Sequence, residues 1–403
     1  MTEFSGWQYL LIDVANAYGH DKLVFEDRLQ WAEQNLKQLE SLADKADSKP
    51  LFMKAVMAIR KAQKGVATGH LVGFDAVCSG IQIMSALTGC EAGATATGLI
   101  DTGERPDAYT TATKVMNGLL ASQGISLNVS RPDAKAALMT SCYGSKKKPK
   151  KIFGEGELLA LFYDILKEFC PAAWELNETM KDLWNPTAYS HNWILPDNFH
   201  VQTKVMDTIT DRVIFDEAPL DVSFKINRPM PEGRSLGANM THSIDGMIVR
   251  EIVRRCSYDP NQVAKLCTLI ENGDLLGMST KTEDDKMVIT LWDWYNETGY
   301  LSARILDHLN KDNFGLVAPS VISELLESLP AKPFSVVPVH DRFGCLPHYG
   351  NDLRLQYNLQ LKMIAESDIL SSIISQLIGR RVQIGKLDPT LPDDIMEANY
   401  ALS

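Results

Sequence analysis

The sequence lacks the cysteine spacings on which metal sites and disulfide scaffolds are usually built. Its seven cysteines are scattered, odd in number and contain no Cys-x2-Cys pair. Structural zinc sites need such clustered thiols, and small secreted domains need paired ones. The cysteines therefore predict reduced, mostly buried thiols in a cytoplasmic protein without structural zinc.

Long apolar runs and an excess of basic residues are also missing. No apolar run approaches the roughly 20 residues that a membrane helix needs, and the first six residues hold no cation, so neither a membrane partner nor a signal peptide is expected. The 40 Lys and Arg are outnumbered by 51 Asp and Glu, which gives a net charge of −11. This balance excludes a general nucleic-acid coat, but not an enzyme that holds nucleic acid in a local basic channel.

Common nucleotide-binding and metalloprotease patterns are absent as well. The sequence contains no Walker loop, no GxGxxG, no HExxH, no internal repeat and no low-complexity tract. Its 403 residues suggest two or three domains. Apolar periodicity predicts helices over residues 21–47, 51–64, 79–87, 107–123, 131–143, 247–255 and 353–377. Residues 155–183 are predicted to be helical with an interruption at Pro171, and residues 261–312 to be mostly helical. Strands are predicted over residues 71–75, on both sides of a turn at 193–201, within 201–228 and over 334–347, so the fold class is α+β and helix-rich.

One predicted helix carries a stripe that does not resemble a core face. Arg131, Lys135, Met139 and Tyr143 recur at every fourth position, and such residues drift by about 40° per step around a helix. Two cations and an aromatic hydroxyl suit a nucleoside triphosphate, because Arg and Lys pair with phosphate oxygens and a ring can stack on a base. The same spacing also fits a solvated helix face. The basic run at residues 146–151 likewise fits either a solvated loop or a contact to a nucleic-acid backbone.

Two acids stand at the ends of predicted strands. Asp75 follows an apolar run, and Asp341 follows the run that ends at Val339. An acid after a strand is often only a helix cap. Nucleotidyl transfer, however, needs carboxylates that bridge two divalent metals about 3.5–4 Å apart, together with cations that hold the triphosphate. The two acids and the cationic stripe therefore predict a site for two Mg²⁺ ions, since Mg²⁺ prefers oxygen ligands.

These segments resemble a known family. DAVCSGIQ (75–82) resembles motif A of the phage-type single-subunit RNA polymerases, RPDAKAALMTSCYGS (131–145) resembles motif B, and HDRFG (340–344) resembles motif C. Further similar segments occur in the same order: ANAYGHDKLVFEDRLQWAEQN (15–35), WILPDNFHV (193–201), NMTHSIDGMIVR (239–250) and DIMEANYALS (394–403). Within the family, the sequence is most similar to the large chain of the two-chain RNA polymerase of N-four-like phages.

The resemblance implies the palm and fingers of a right-hand polymerase, with a small antiparallel palm sheet. Residues 1–105 would form the N-terminal part of the palm with motif A, and residues 106–238 the fingers with motif B. Residues 239–403 would form the rest of the palm with motif C and a C-terminal foot. The N-terminal domain and most of the thumb would be absent.

Catalytic roles follow from the same resemblance. Asp75 and Asp341, with the backbone carbonyl of Ala76, would ligate the two Mg²⁺ ions. Lys135 would hold the triphosphate and donate a proton to pyrophosphate. Tyr143 would close the site and sense the ribose 2′-hydroxyl.

The resemblance also implies substrate contacts outside the catalytic set. Arg131 would bind the triphosphate beside Lys135, and Met139 and Gly144 would belong to the substrate-binding surface. His242 would contact the minor-groove side of the growing end, and His340 would support the 3′ terminus.

The function implied is that of a DNA-directed RNA polymerase catalytic subunit, which adds rNTPs to an RNA 3′ end on a DNA template in a host cytoplasm. An A-family-like DNA polymerase fragment and a catalytically silent nucleic-acid-binding subunit are the alternatives. Gly80 and Met139 stand where those DNA polymerases usually carry a glutamate gate and Phe, which favours ribonucleotides. The intact acids, Lys135 and Tyr143 disfavour a silent subunit.

The sequence departs from the family in two ways. Ala76, Ile83 and Arg342 stand where family members usually have Gly, His and Ser. The family's Asp/Thr-x2-Gly-Arg motif is also missing, because Gly233-Arg234 and Gly379-Arg380 lack the Asp or Thr. We therefore expect a second, smaller chain that carries the thumb and this Arg motif, and a single-strand-binding protein that recruits the enzyme.

Overall fold

The computed structural model describes residues 1–233 and 235–403. Arg234, part of one of the two Gly-Arg pairs noted above, lies outside the described residues. Helices dominate the fold, which confirms a helix-rich α+β class. The helices of the first part of the chain are α1 (Gly6–Ala15), α2 (Phe25–Asn35), α3 (Leu39–Leu42), α4 (Lys49–Gln63), α5 (Ser79–Thr88), α6 (Glu91–Ala96), α7 (Ala108–Ser122) and α8 (Arg131–Cys142). The later helices are α9 (Lys147–Phe153), α10 (Glu157–Phe169), α11 (Pro171–Asp182), α12 (Ser235–Cys256), α13 (Pro260–Asn272), α14 (Glu283–Thr298), α15 (Pro319–Glu327), α16 (Gly350–Glu366), α17 (Ile369–Ile378) and α18 (Leu391–Glu397).

The strands form small antiparallel sheets. They are β1 (Val72–Asp75), β2 (Ser190–Ile194), β3 (His200–Lys204), β4 (Met206–Phe215), β5 (Ala218–Asn227), β6 (Val337–Val339) and β7 (Arg342–Cys345). One sheet has the order β1-β7-β6, and the other two are the hairpins β2-β3 and β4-β5. The first sheet therefore joins segments from the two ends of the chain.

Among the described residues, two hydrophobic cores stabilise the fold. The larger core runs from Phe4 to Leu402 and surrounds the β1-β7-β6 sheet, with α16 packed against α5, α12 and α18. The smaller core is built from α13, α14, α15 and the 3₁₀ turn Ala303–Asp307. The predicted site segments all belong to the larger core unit.

Several predicted element boundaries are wrong. Helix α1 was not predicted, although Ser5 and Gln8 form a capping box at its start. The helix predicted over 21–47 breaks after Asn35. The helix predicted over 353–377 divides at Ser367, where extended backbone lets the amide of Asp368 donate to the carbonyl of Thr298 at 2.7 Å. Tertiary contacts override helical periodicity at this last boundary.

Two further differences affect the site. Helix α12 begins at Ser235, whereas a helix was predicted only from Met247, so His242 lies inside the helix and not before it. The basic run at 146–151 is mostly helical, in α9, and Lys146 and Lys150 pair with Glu178 and Glu155. This basic segment is therefore partly neutralised by neighbouring acids.

The β4-β5 hairpin projects from the body of the molecule. Its turn residues Asp216 and Glu217 both have positive φ, as a tight two-residue hairpin turn requires. Ile214 and Phe215 at its tip are 78% and 76% exposed. Within the described residues, none of the helices combines the length and apolarity needed to cross a bilayer.

Candidate active site

The pairing of β1 with β7 brings the two predicted metal ligands together. Asp75, the last residue of β1, lies directly opposite Arg342 of β7, and Asp341 precedes Arg342 in the β6-β7 turn. The amide of Ala76 donates to the carbonyl of Asp341 at 3.0 Å. This backbone bond holds the two acid-bearing segments side by side, and both acids are exposed to the cleft.

The last residues of the described chain pair with the same segment. The amide of Asp75 donates to the carbonyl of Ser403 at 3.3 Å, and the amide of Ser403 donates back to the carbonyl of Asp75 at 3.1 Å. Ala76 forms an antiparallel bridge with Leu402. The tail therefore supports the acidic end of β1 from the side away from β7.

The carboxylates at this point influence one another electrostatically. Although Asp75 is exposed to the cleft, the surrounding protein removes part of its water and so raises its pKa; the Arg342 guanidinium opposes that effect and the Asp341 carboxylate adds to it. Burial, and then Asp341, raise the pKa of Asp245 on α12 to about 6. The Asp341 carboxylate thus raises the pKa of both Asp75 and Asp245, and a cation near Asp341 would relieve this repulsion.

Helix α8 contributes the cationic wall of the cleft. Arg131, Lys135, Met139 and Tyr143 all line the same cleft as Asp75 and Asp341, as the helical stripe predicts. Ser130 caps the start of the helix, where it accepts a hydrogen bond from the amide of Asp133. Met139 is 43% exposed, so its side chain lies on the surface of the cleft and is not packed in the core.

The two cations of α8 differ in their partners. Asp107, at the start of α7, accepts from Nη2 of Arg131 at 2.7 Å and from Nε of Arg131 at 3.2 Å. Burial by itself would raise the pKa of Asp107, but hydrogen bonds from Thr110 and Arg131 together outweigh it and lower the pKa. Lys135 lies 5.3 Å from the centre of the Tyr109 ring and has no carboxylate partner among the described residues.

Tyr143 follows the last turn of α8 and connects it to α5 and α12. Its ring stacks on His242, with 4.7 Å between ring centres and 14° between the planes. Burial, followed by the nearby Asp245 carboxyl, raises the pKa of Tyr143 to about 12. The phenol is therefore neutral near pH 7 and can donate a hydrogen bond.

Gly80 on α5 leaves room for this phenol. A Cβ atom at Gly80 would lie 2.5 Å from the Tyr143 hydroxyl oxygen, which no side chain tolerates. A larger residue at position 80 would therefore displace the Tyr143 hydroxyl.

Three predicted substrate-binding residues do not line the main cleft. Gly144 has φ +77° and ends α8, which is a helix-terminating role that glycine fills readily. His242 borders a neighbouring groove that includes Phe199 and Lys204. His340 is exposed in the β6-β7 turn with φ +57°. Their proposed contacts with nucleic acid stay predictions.

The cleft has a volume of about 480 Å³, within the size range of small-molecule sites. Its lining holds six Asp and six Lys or Arg residues, whereas the whole chain has a net charge of −11. Cations are thus concentrated around the cleft. Among the described residues, no three side chains that could bind a metal ion lie together. At most two carboxylates, those of Asp75 and Asp341, therefore meet at this end of the cleft.

Sequence reasoning missed two residues of the cleft, Arg105 and Asp107, and also Asp245 on α12. Arg105 donates to the Ser403 hydroxyl at 3.2 Å, and Asp107 holds Arg131. Asp245 follows His242 by about one turn of α12. A helix predicted to start earlier would have placed both side chains on one face. The sequence around Arg105 has no motif that would mark it as a residue of the site.

Comparisons with known proteins agree with the motif resemblance. Residues 2–152 match the model of the family described as DNA-dependent RNA polymerase. A protein of Pseudomonas phage phiKMV named DNA-directed RNA polymerase is 30% identical over 129 residues. That alignment covers 28% of this chain and 16% of the phage protein, so the chain is similar to a small part of its relative's length.

The two similarities support the class of enzyme predicted from the sequence, a DNA-dependent RNA polymerase. The matched segment contains Asp75 and the whole α8 stripe, but it ends well before Asp341. Asp341 lies outside the matched residues, but the pairing of β1 with β7 brings it next to Asp75, which lies within them.

Proposed function

We propose that this chain is the catalytic subunit of a DNA-directed RNA polymerase, which extends an RNA 3′ end with rNTPs on a DNA template. One observation carries the proposal. The β1-β7 pairing places Asp75 beside Asp341 in the same cleft that the cationic stripe of α8 lines. Acids that could hold metal ions and cations that could hold a triphosphate thus share one cavity.

The donor set fits Mg²⁺ better than a softer metal. Asp75 and Asp341 offer hard carboxylate oxygens and are exposed to the cleft. Mg²⁺ keeps several waters and uses few protein carboxylates together with substrate phosphates, so two acids are enough. Bound Mg²⁺ would acidify the attacking hydroxyl and offset the charge of the phosphates.

The residues of α8 and α7 would bind the phosphates. Lys135, which has no carboxylate partner in the described part of the chain, would pair with the triphosphate and would donate a proton to the leaving pyrophosphate. With its Nε and Nη2 bonded to Asp107, Arg131 keeps Nη1 for a phosphate oxygen. Asp107 would thereby orient Arg131 before the nucleotide arrives.

Selection of ribose would depend on Tyr143. Its neutral hydroxyl occupies the space that Gly80 leaves open, so it can donate to a 2′-hydroxyl. A side chain as large as a glutamate gate at position 80 would displace it. This arrangement favours an RNA polymerase over a DNA polymerase fragment.

The arrangement of strands supports the palm and fingers division. The β1-β7-β6 sheet takes its strands from the proposed palm segments 1–105 and 239–403, whereas the strands of 106–238 pair only with each other. A template, an RNA product and rNTPs are the partners that the proposal requires. The second chain and the recruiting single-strand-binding protein stay predictions from the sequence.

The direct test removes either acid. We expect Asp75→Asn and Asp341→Asn each to reduce nucleotide addition on a primed template at least about a hundredfold, because each loses a charged metal ligand. Primer extension with rNTPs and Mg²⁺ measures the effect. Circular dichroism and template binding should stay near those of the wild type.

Asp47→Asn is the matched control, because Asp47 is another carboxylate of the same cleft without a proposed metal role. We expect it to retain most of the activity. Residual extension above about a hundredth of wild type in either acid variant would contradict the metal-ligand assignment.

A further inference from the structure

Arg342 contacts a proposed metal ligand, and the family resemblance assigns it no role. Its Nη1 lies 3.5 Å from Oδ2 of Asp75, and the two side chains are 45% and 55% exposed. Asp75 and Arg342 are direct partners in the β1-β7 register, so their side chains leave the sheet on the same face. The guanidinium therefore meets the carboxylate across the strands.

Gly73 provides the space in which this guanidinium lies. A Cβ atom at Gly73 would be 2.4 Å from both Nε and Nη2 of Arg342. Gly73 and Asp75 are two residues apart on β1 and share a face of the sheet. Arg342 thus lies flat over the backbone of Gly73 with its tip at Asp75, a position that only glycine at residue 73 allows.

We propose that Arg342 is an internal counter-cation that competes with divalent metal ions for Asp75. The inference rests on the proposed function, in which Asp75 binds Mg²⁺. A guanidinium and a metal ion use the same carboxylate lone pairs and repel each other at close range. A guanidinium that stays at Oδ2 of Asp75 therefore disfavours a metal ion on the same carboxylate, and this contact lowers the affinity of the nucleotide-free enzyme for metal.

The experiment measures Mn²⁺ binding to the full chain without nucleotide, from the electron paramagnetic resonance signal of free Mn²⁺. The portion of binding lost in Asp75→Asn defines the site. Arg342→Ser removes the competing cation, and Gly73→Ala keeps the cation but fills its position. We expect both variants to bind Mn²⁺ about two- to fivefold more tightly, the range expected for an exposed ion pair.

Lys22→Ser is the matched control for net charge. Lys22 also lines the cleft and acts on Asp75 through its charge, but its ammonium bonds to Asp21 at 2.6 Å. We expect a smaller gain in affinity than in Arg342→Ser. Equal gains in these two variants would show a general effect of charge and would overturn the inference.

The other outcomes are equally decisive. Wild-type affinity in Arg342→Ser overturns the competition, and wild-type affinity in a folded Gly73→Ala overturns the proposed position of the guanidinium. If Gly73→Ala does not fold, Arg342→Lys takes its place in the experiment. This variant keeps the positive charge but loses the planar guanidinium, so its affinity for Mn²⁺ should also rise. Mn²⁺ binding that is insensitive to both Asp75→Asn and Asp341→Asn would contradict the proposed function itself.

Discussion

Among single residues, Tyr143 connects most of the elements around the cleft. It ends α8, stacks on His242 of α12 and places its hydroxyl over Gly80 of α5. Its raised pKa keeps the hydroxyl protonated across the physiological range. Under the proposed function, this neutral donor would distinguish a ribose from a deoxyribose.

Tyr143→Phe should therefore relax sugar selection. Loss of one neutral hydrogen bond should lower the preference for rNTPs over dNTPs by about three- to tenfold, while the ring still stacks on His242. Competing incorporation of an rNTP and the matching dNTP measures this ratio. Tyr189→Phe, at a 61% exposed position, is the control, and an unchanged ratio in Tyr143→Phe would refute the role.

Asp245 is a second informative residue, because its ionisation opposes folding. Its pKa in the folded chain is raised to about 6, chiefly by burial and then by Asp341. The folded state therefore binds this proton more tightly than the unfolded state. The resulting penalty is absent below the unfolded pKa of about 4 and is complete above pH 6 or so.

Asp245→Asn should remove this penalty. We expect the free energy of unfolding to rise by about 1–2 kcal/mol near pH 8, and the gain to disappear as the pH falls from about 6 to 4. Urea unfolding at several pH values tests this. Asp211→Asn, in the exposed hairpin, reports the effect of removing one negative charge alone. A gain that is equal at all pH values would contradict the assignment.

At the scale of elements, the C-terminal segment supports β1. Tyr400 stacks on Phe25 at 5.0 Å, and its hydroxyl accepts from the amide of Phe25 at 3.2 Å. The next residue, Ala401, accepts hydrogen bonds from the amide of Val77 and the side chain of Gln82. This anchor keeps the final residues paired with Asp75.

Tyr400→Ala should damage both stability and activity. Truncating a buried aromatic residue costs about 3–5 kcal/mol, and the loosened tail should also lower nucleotide addition at temperatures where the variant is folded. Leu291→Ala, a truncation in the smaller core, is the control. We expect it to lose a comparable amount of stability but to keep its activity per folded molecule. Equal activity losses would argue against a specific role of the tail.

At the scale of the whole molecule, charge is distributed unevenly. The chain is acidic overall, yet its cleft is lined by equal numbers of acidic and basic side chains, and two of the basic ones lie on α8. Local cations can attract a triphosphate or a template even when the net charge is negative. The charge pattern is thus compatible with an enzyme that binds nucleic acid only at its active site.

A partner chain is the remaining prediction at this scale. Under the proposed function, we expect a smaller polypeptide that carries an Asp/Thr-x2-Gly-Arg motif to co-elute with this chain when the enzyme is purified from cells that naturally produce it. Size-exclusion chromatography with mass spectrometry tests this. A chain that elutes alone and extends RNA with full activity would contradict the prediction.

The sequence alone determined the local features of this protein. Periodicity predicted the stripe of α8 and most helices, because the side chains that share a helix face are set by spacing along the chain. The apolar runs before Asp75 and Asp341 predicted the strand that ends at Asp75 and the strand that precedes the turn with Asp341. Motif order and residue identity together indicated the class of enzyme.

Only the tertiary structure decided which distant groups meet. The pairing of β1 with β7 placed Asp75 beside Asp341, the early start of α12 brought His242 and Asp245 to Tyr143, and Gly73 made room for Arg342. Strand register, burial and electrostatic coupling depend on neighbours that are remote in sequence. For that reason, the raised pKa of Asp245 and the contact of Arg342 with Asp75 emerged only from the folded chain.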